Sequence, residues 1–201
     1  MTLEKNFIKI SIPTILIGIL GFFLSLYALI LHLQNLMRPG RGALCDINAQ
    51  FSCSAIIGSS YGEIASIPLG SYGMTYFIMI ISAAILPKIS SLTKKQHSKL
   101  EFIIGLVGFI SVVSLFYISH FILKTICPTC SIIHIITAIY FTIKIISILK
   151  NKRVSNTNYY NSDYLIRFIA VCLCFGIPTL AIGLIAPIIL DKYIHSPNKI
   201  N

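Results

Sequence analysis

The stretch FIIGLVGFISVVSLFYISHFILKTICPTCSIIHIITAIYFTIKIISIL, residues 102–149, decides the fold of this chain. Two apolar runs, Phe102–Leu123 and Ile126–Leu149, meet at Lys124 with almost nothing polar between them. Each run is long enough to cross a hydrocarbon core of about 30 Å as a helix, which takes roughly 20 apolar residues. Neither run alternates as a lipid-facing strand would, so each indicates a membrane-spanning helix.

The rest of the chain repeats this pattern. Three further apolar runs cover Phe7–Leu33, Ile67–Leu86 and Leu165–Leu190. The whole sequence is 56% hydrophobic and only 11% charged, with a mean hydropathy of +0.85. A soluble domain carries about 25% charged residues. We therefore predict an all-α polytopic membrane protein with five spans.

The net charge of +10 follows the predicted topology. With a cytoplasmic N-terminus and five spans, eleven of the sixteen lysines and arginines fall on the inner side and five on the outer side. This is the distribution of the positive-inside rule, so the charge does not indicate nucleic-acid binding. Lys144 is expected to snorkel to the inner face. The first run is longer than a signal-peptide core and lacks a small-x-small site, so it is expected to be a true span.

Four of the six cysteines share one predicted side of the membrane. Cys45 and Cys53 lie in the long outer loop 38–66, and Cys127 and Cys130 lie where the third span meets the fourth. That side is the oxidising one, where disulfides form and persist. The two pairs together predict a relay, in which the loop pair meets a soluble thiol protein and the other pair faces a lipophilic electron carrier.

The sequence Cys127-Pro-Thr-Cys130 has the spacing of a thiol redox motif. Pro128 suits the first turn of a helix, where its missing N–H costs nothing. Cys127 would then lie at the helix N-terminus, where free amides and the helix dipole favour a thiolate. A thiolate is the species that exchanges disulfides.

Two other interpretations of these cysteines stay open. The four could bind zinc together with the loop acid Asp46, or they could form structural bridges in a non-catalytic membrane protein or small transporter. Cys172 and Cys174 lie mid-span and are expected to be small apolar filler. His32 is expected at the membrane interface, and His120 at the interface or in the core. Three tyrosines are expected in the interfacial aromatic belt or, as the alternative, in the walls of a pocket: Tyr61, Tyr72 and Tyr76.

The combination of CDINAQFSCS at 45–54 with CPTC at the start of a late span resembles the vitamin K epoxide reductase family. The resemblance covers about Thr14–Leu149. It implies a four-helix bundle around a quinone pocket, here followed by a fifth transmembrane helix, so we divide the chain at 1–149 and 150–201. Similar bacterial proteins oxidise a thioredoxin-fold partner and reduce a quinone. The sequence stops after its fifth span, so we expect a separate partner, a ubiquinone or menaquinone, and a bacterial inner membrane.

The resemblance also implies roles for individual residues. Cys45 matches the cysteine that exchanges with the partner, and Cys53 the shuttle that attacks the second disulfide. Cys127 matches the cysteine attacked, and Cys130 the one that faces the quinone. Ser59 matches a loop serine near the pocket. The implied activity is a quinone-dependent thiol oxidoreductase that sustains disulfide formation in other proteins, with no metal.

Two positions depart from the animal members of that family. Leu69 replaces an asparagine near the pocket, and His134 replaces a tyrosine four residues after the last motif cysteine. Both departures argue against epoxide reduction, although a quinone or quinone-epoxide reductase serving the quinone pool remains the alternative. His134 and Cys130 are four apart on one helix face. His134 is therefore expected to face the quinone and to donate a hydrogen bond to it. The alternative is a packed polar residue that bonds a neighbouring helix.

Overall fold

The computed structural model describes residues 2–38, 42–48, 50–89, 94–151 and 162–194. The surroundings of side chains are described for 12–38, 42–48, 50–85, 98–149 and most of 166–192. Within these ranges the chain is almost entirely helical. The helices are α1 (Thr2–Met37), α2 (Cys53–Ile57), α3 (Leu69–Ile89), α4 (Lys94–Tyr117), α5 (Pro128–Asn151) and α6 (Ser162–Ile194).

All five predicted spans are helices, which confirms the all-α polytopic class. Among the described residues, four segments are long and apolar enough to cross a membrane: Ile12–Met37, Ser98–Ile122, Pro128–Leu149 and Phe168–Ile189. The apolar part of α3, Leu69–Ile85, is shorter. The helix itself continues to Ile89 and has 21 residues, within the range of a spanning helix.

Helix α3 packs against both α1 and α6, and α5 packs against both α4 and α1. Small residues allow the close approaches. A Cβ on Gly70 would lie 2.6 Å from the backbone nitrogen of Leu29, so α3 and α1 can meet there only through glycine. Thr75 and Thr179 join α3 to α6 by a hydrogen bond of 2.7 Å between their hydroxyls. The central core cluster contains Phe77 and Tyr140, both fully buried.

The connection between α1 and α3 folds over one end of the bundle, which we call the cysteine end. After α2, a 3-10 turn (Ser60–Gly62) leads into a short antiparallel hairpin of β1 (Glu63–Ile64) and β2 (Ile67–Pro68). His32 Nδ1 lies 2.9 Å from the carbonyl oxygen of Ile57 and ties α1 to α2. This hydrogen bond holds His32 inside the protein, with 6% of its surface exposed, and the placement of His32 at the membrane interface stays a prediction.

Lys144 on α5 is buried, and the expectation that it snorkels to the inner face is wrong. Its Nζ lies 2.6 Å from Glu101 Oε1 on α4 and 3.1 Å from Thr14 Oγ1 on α1. The ring of Tyr140 lies below the ammonium group, 5.2 Å away. A charge inside a bilayer is tolerated when a partner neutralises it, and this pair joins three helices.

The turn from α4 to α5 is short and tightly bonded. The end of α4 widens into a π-helical turn, Ile118–Ile122, which closes with the amide of Leu123 donating to the carbonyl of Ile118. Lys124 then takes a left-handed conformation with φ 52°, which reverses the chain. Helix α5 begins at Pro128, as predicted from the preference of proline for the first helical position.

Candidate active site

A short backbone pairing brings the two cysteine pairs together at the cysteine end. Phe51 and Ile126 form a parallel bridge. The amide of Ser52 donates to the carbonyl of Ile126 at 3.1 Å, and the amide of Ile126 donates to Gln50 at 2.8 Å. Cys53 directly follows Ser52, and Cys127 directly follows Ile126. The pairing therefore places both cysteines in the same buried cluster. The pairing joins segments about 75 residues apart.

Cys45 and Cys53 are joined in a disulfide. Cys53 is fully buried, at 0% exposure, while Cys45 is half-buried in the loop. Cys45 is therefore the more accessible of the two, and a thiolate presented by another protein is expected to attack there rather than at Cys53. Attack there would release Cys53 on the inner side of the loop, next to the second pair.

The carboxylate of Asp46 holds the two ends of this disulfide loop together. It accepts hydrogen bonds from the amide of Ala43 at 2.7 Å, from the hydroxyl of Ser52 at 3.0 Å and from both the amide (3.0 Å) and the hydroxyl of Ser54. The two serines flank Cys53, so the pattern Cys-Asp followed by Ser-Cys-Ser has a direct physical explanation. The sequence places Asp46 in the loop, as a loop acid or a possible zinc ligand, but does not reveal these hydrogen bonds.

The Asp46 bonds predict an acid-sensitive loop. Burial raises the pKa of Asp46, but the hydrogen bonds from Ser54, Ala43 and Ser52 outweigh burial and hold this pKa at about 2. Because an unfolded aspartate titrates near pH 3.9, the stabilisation is complete above about pH 4 and is lost as the pH falls towards 2. We expect hydrogen-exchange protection of the Ser54 amide, corrected for intrinsic rates, to fall about tenfold over that interval.

Asp46→Asn should lower the Ser54 protection already at neutral pH and remove its dependence on acid. Glu63→Gln is the matched control, since Glu63 is an exposed acid of the same connection. Protection of the Ser54 amide that stays constant to pH 2 in the unmodified protein would contradict this role for Asp46.

The second pair lies at the N-terminus of α5, and neither of its cysteines is in a disulfide. The amide of Cys130 donates to Cys127 Sγ at 3.1 Å, so the sulfur caps the first turn of the helix. Such a position stabilises a thiolate. Cys127 is buried, at 1% exposure, and Cys130 is half-buried. Between them, Thr129 places its Oγ1 at 3.6 Å from Cys53 Sγ.

Cys130 lines an apolar pocket that opens between the ends of α3, α4 and α5. His134 lines the same pocket one helical turn further along α5, so the structure brings these two predicted residues together. Cys127 also reaches the pocket wall. The other walls are mostly hydrophobic and include Ile56, Leu69, Leu115, Phe116, Leu123 and Ile126.

Ser59 is not among the residues that line this pocket. Its hydroxyl donates to the carbonyl of Ile56 at 2.7 Å and accepts from the amide of Tyr61 at 3.3 Å. Ser59 thereby caps the 3-10 turn and positions Tyr61, which does line the pocket. Tyr61 thus takes the second of its two expected places, the pocket wall, whereas His120 was expected only at the interface or in the core and also lines the pocket.

The cysteines do not present a metal site in this form. Among the described residues, the only group of potential ligands that converges is Cys45, Asp46 and Cys53, with ligand atoms within 4.8 Å of one another. Two of the three are bonded to each other, and zinc requires thiolates. Away from this end, Cys172 packs against the central core cluster and Cys174 is exposed on α6.

Comparison with known protein families agrees with this architecture. The model of the Vitamin K epoxide reductase family matches residues 12–145, which include both cysteine pairs and most of the first four long helices. Members of this family are membrane oxidoreductases that work with thiols and quinones. The chain belongs to the vitamin K epoxide reductase family, and it is an integral membrane oxidoreductase.

Proposed function

We propose that this protein carries electrons from a dithiol protein of the thioredoxin fold, through its two cysteine pairs, to a membrane quinone. One observation carries the proposal. Cys53 is buried against the Cys127–Cys130 turn, while its disulfide partner Cys45 is only half-buried in the loop. The loop disulfide thus has one sulfur for a soluble partner and one for the membrane pair.

The first reaction is an exchange between two proteins. A thiolate of the partner attacks Cys45, the Cys45–Cys53 bond breaks, and Cys53 leaves as a thiolate. The second thiol of the partner then attacks the mixed disulfide and releases Cys45. The partner has lost two electrons and gained a disulfide, and the loop pair is a dithiol.

The second reaction passes the electrons inward. The Cys53 thiolate attacks Cys127 of an oxidised Cys127–Cys130 pair, and Cys130 leaves as a thiolate. Cys45 then attacks Cys53, which restores the loop disulfide and releases Cys127. The amide of Cys130, which donates to Cys127 Sγ, is positioned to stabilise that departing thiolate. The described arrangement, with a loop disulfide and two free thiols on α5, corresponds to the product of this step.

The third reaction uses the pocket. A quinone in the pocket accepts two electrons and two protons from Cys127 and Cys130, whose disulfide reforms. Leu69 and His134 both line the pocket, at the two positions where animal members of the family carry asparagine and tyrosine. An apolar side chain at residue 69 supports quinone reduction rather than epoxide chemistry, since it removes a polar group from the wall. The quinone would be of the ubiquinone or menaquinone type.

We further propose a bacterial inner membrane, a cytoplasmic N-terminus and an outward cysteine end. The charge distribution supports this orientation. We retain the division into residues 1–149, which hold the redox sites, and 150–201, which hold the fifth helix.

The orientation predicts which thiols an impermeant reagent labels. On intact cells treated with a permeant reductant, a charged maleimide should modify Cys45. It should not modify a cysteine placed at Ser91. Ser91 belongs to the sequence that links α3 to α4 and lies outside the described residues. The Ser91→Cys protein should become reactive once the membrane is opened. Labelling of Ser91→Cys in intact cells would refute the orientation.

The proposed activity is tested by a coupled oxidation. Membranes containing the protein should oxidise a reduced thioredoxin-fold dithiol protein only when quinone is present, and removal of quinone should stop turnover after one or two equivalents. A protein lacking Cys127 and Cys130 serves as the control. Partner oxidation that continues at the same rate without any quinone would contradict the proposal.

A further inference from the structure

Thr129, the third residue of the Cys127–Cys130 motif, points its hydroxyl at a sulfur of the other pair. Its Oγ1 lies 3.6 Å from Cys53 Sγ, and the residue is 6% exposed. In the disulfide form Cys53 carries no hydrogen, so Thr129 must be the donor in this contact. Both atoms are in the interior, where such a contact is not replaced by water.

The hydroxyl is available because of its place in α5. Further along the same helix, Thr137 donates to the carbonyl of Ile133 at 2.9 Å, and Thr142 donates to Ala138 at 2.8 Å. Each of these bonds uses the carbonyl four residues earlier in the helix. Thr129 lies in the first turn, so the residue four before it, Thr125, precedes the helix, and the carbonyl of Thr125 accepts a hydrogen bond from the Ser119 hydroxyl at 2.6 Å instead. Among the described residues, Cys53 Sγ is the one hydrogen-bond partner of this hydroxyl.

We propose that Thr129 is a catalytic residue of the thiol relay, donating a hydrogen bond to the Cys53 thiolate while it is released from Cys45 and until it attacks Cys127. This inference rests on the proposed function, because only a relay releases Cys53 in that form. The bond that breaks is Cys45–Cys53, and its electron pair remains on Cys53 Sγ. The bond that forms next is Cys53–Cys127, and Cys130 takes the departing charge.

The need for such a donor follows from burial. Cys53 is fully buried, and a thiolate without a partner in the interior is strongly disfavoured. A leaving sulfur that is stabilised as an anion leaves faster. The hydroxyl belongs to the motif that Cys53 attacks, so it also holds the nucleophile close to Cys127. A hydrogen bond to an ionised group is stronger than one between neutral groups.

The test measures the ionisation of Cys53 directly. In full-length protein carrying Cys45→Ser and Cys127→Ser, Cys53 keeps neither disulfide partner, and its alkylation by iodoacetamide is followed against pH by peptide mass spectrometry. Thr129→Val, which has nearly the same shape, should raise the pH of half-maximal reaction by about one unit or more. Thr129→Ser should restore it, and Thr137→Val is the control that should leave it unchanged.

A second measurement uses the complete relay. With all four cysteines present, Thr129→Val should slow single-turnover oxidation of the partner about threefold to tenfold, and Thr129→Ser should recover the rate. An equal alkylation profile and an equal rate in Thr129→Val would overturn the inference, as would a failure of Thr129→Ser to restore them. If neither Thr129 variant folds, the protein with Cys45→Ser and Cys127→Ser alone still tests the inference. Half-maximal alkylation of Cys53 above about pH 9 would show that no hydrogen bond offsets the effect of burial on the ionisation of Cys53, and this would overturn the inference.

These outcomes separate the inference from the function on which it rests. If the unmodified protein oxidises no thioredoxin-fold protein, the proposed function fails whatever the alkylation profile. If it does so and Thr129→Val changes neither readout, the function stands and only the role of Thr129 fails.

Discussion

Cys53→Ser is expected to abolish turnover completely and to trap the soluble partner on Cys45. The trap uses a partner that retains one motif cysteine, supplied as a mixed disulfide with 5-thio-2-nitrobenzoate. The Cys45 thiolate attacks the partner's sulfur, the small aromatic thiolate leaves, and the partner has no second cysteine with which to resolve the adduct. In the unmodified protein, the Cys53 thiolate attacks Cys45 and expels the partner. A serine hydroxyl cannot do this, so the mixed disulfide should persist on a non-reducing gel.

Cys45→Ser is expected to give a different product. The cysteine that the partner attacks is then missing, so no adduct should form. Cys53 is held against the α5 motif by its burial and by Thr129, and it should accumulate as a disulfide with Cys127. Peptide mapping identifies that bond. Adducts in both variants, or in neither, would contradict the order in which the cysteines act.

His134→Ala should slow quinone reduction by about 10- to 1000-fold, the range that a proton donor and a hydrogen bond to a developing oxyanion supply. His134 lines the pocket together with Cys130, so it can reach a quinone that Cys130 reduces. Its imidazole can donate to a quinone oxygen and pass on a proton. Steady-state quinol formation in membranes measures this step.

The partner exchange provides the internal comparison for His134. It takes place in the loop at Cys45, so single-turnover oxidation of the partner should be nearly unchanged in His134→Ala. His134→Tyr should restore part of the quinone rate, because a phenol is also a donor. Ile135→Ala, at an exposed position of the same helix, is the control. Equal loss in both steps would indicate a purely structural role for His134.

The parts of the fold that depend on local sequence could be predicted. A run of some 20 apolar residues can only be a helix in lipid, and the runs in this chain correspond to its five long helices. Pro128 specified the start of α5 and placed Cys127 at its N-terminus, where the amide of Cys130 reaches the sulfur. The four-residue spacing of Cys130 and His134 was enough to predict that both side chains line the same pocket.

The parts that depend on distant contacts could not be predicted. Nothing in an isolated segment reveals that Phe51 pairs with Ile126, or that Glu101 lies 2.6 Å from Lys144. A single lysine in an apolar run is ordinarily drawn to the interface, and only its pairing with a distant acid keeps it in the interior. The same holds for His32, whose hydrogen-bond partner is the carbonyl of Ile57 at the end of α2, 25 residues away.

The central claim is that electrons reach the quinone only through the pair on α5, and a stoichiometric count tests it. Fully reduced protein is mixed with excess quinone without oxygen, and the quinol formed per chain is measured. We expect two quinols from the unmodified protein, since four thiols become two disulfides. The double variant Cys45→Ala, Cys53→Ala should give one, and Cys127→Ala, Cys130→Ala should give none. Quinol formed by that last protein, whose loop pair is intact, would contradict the account.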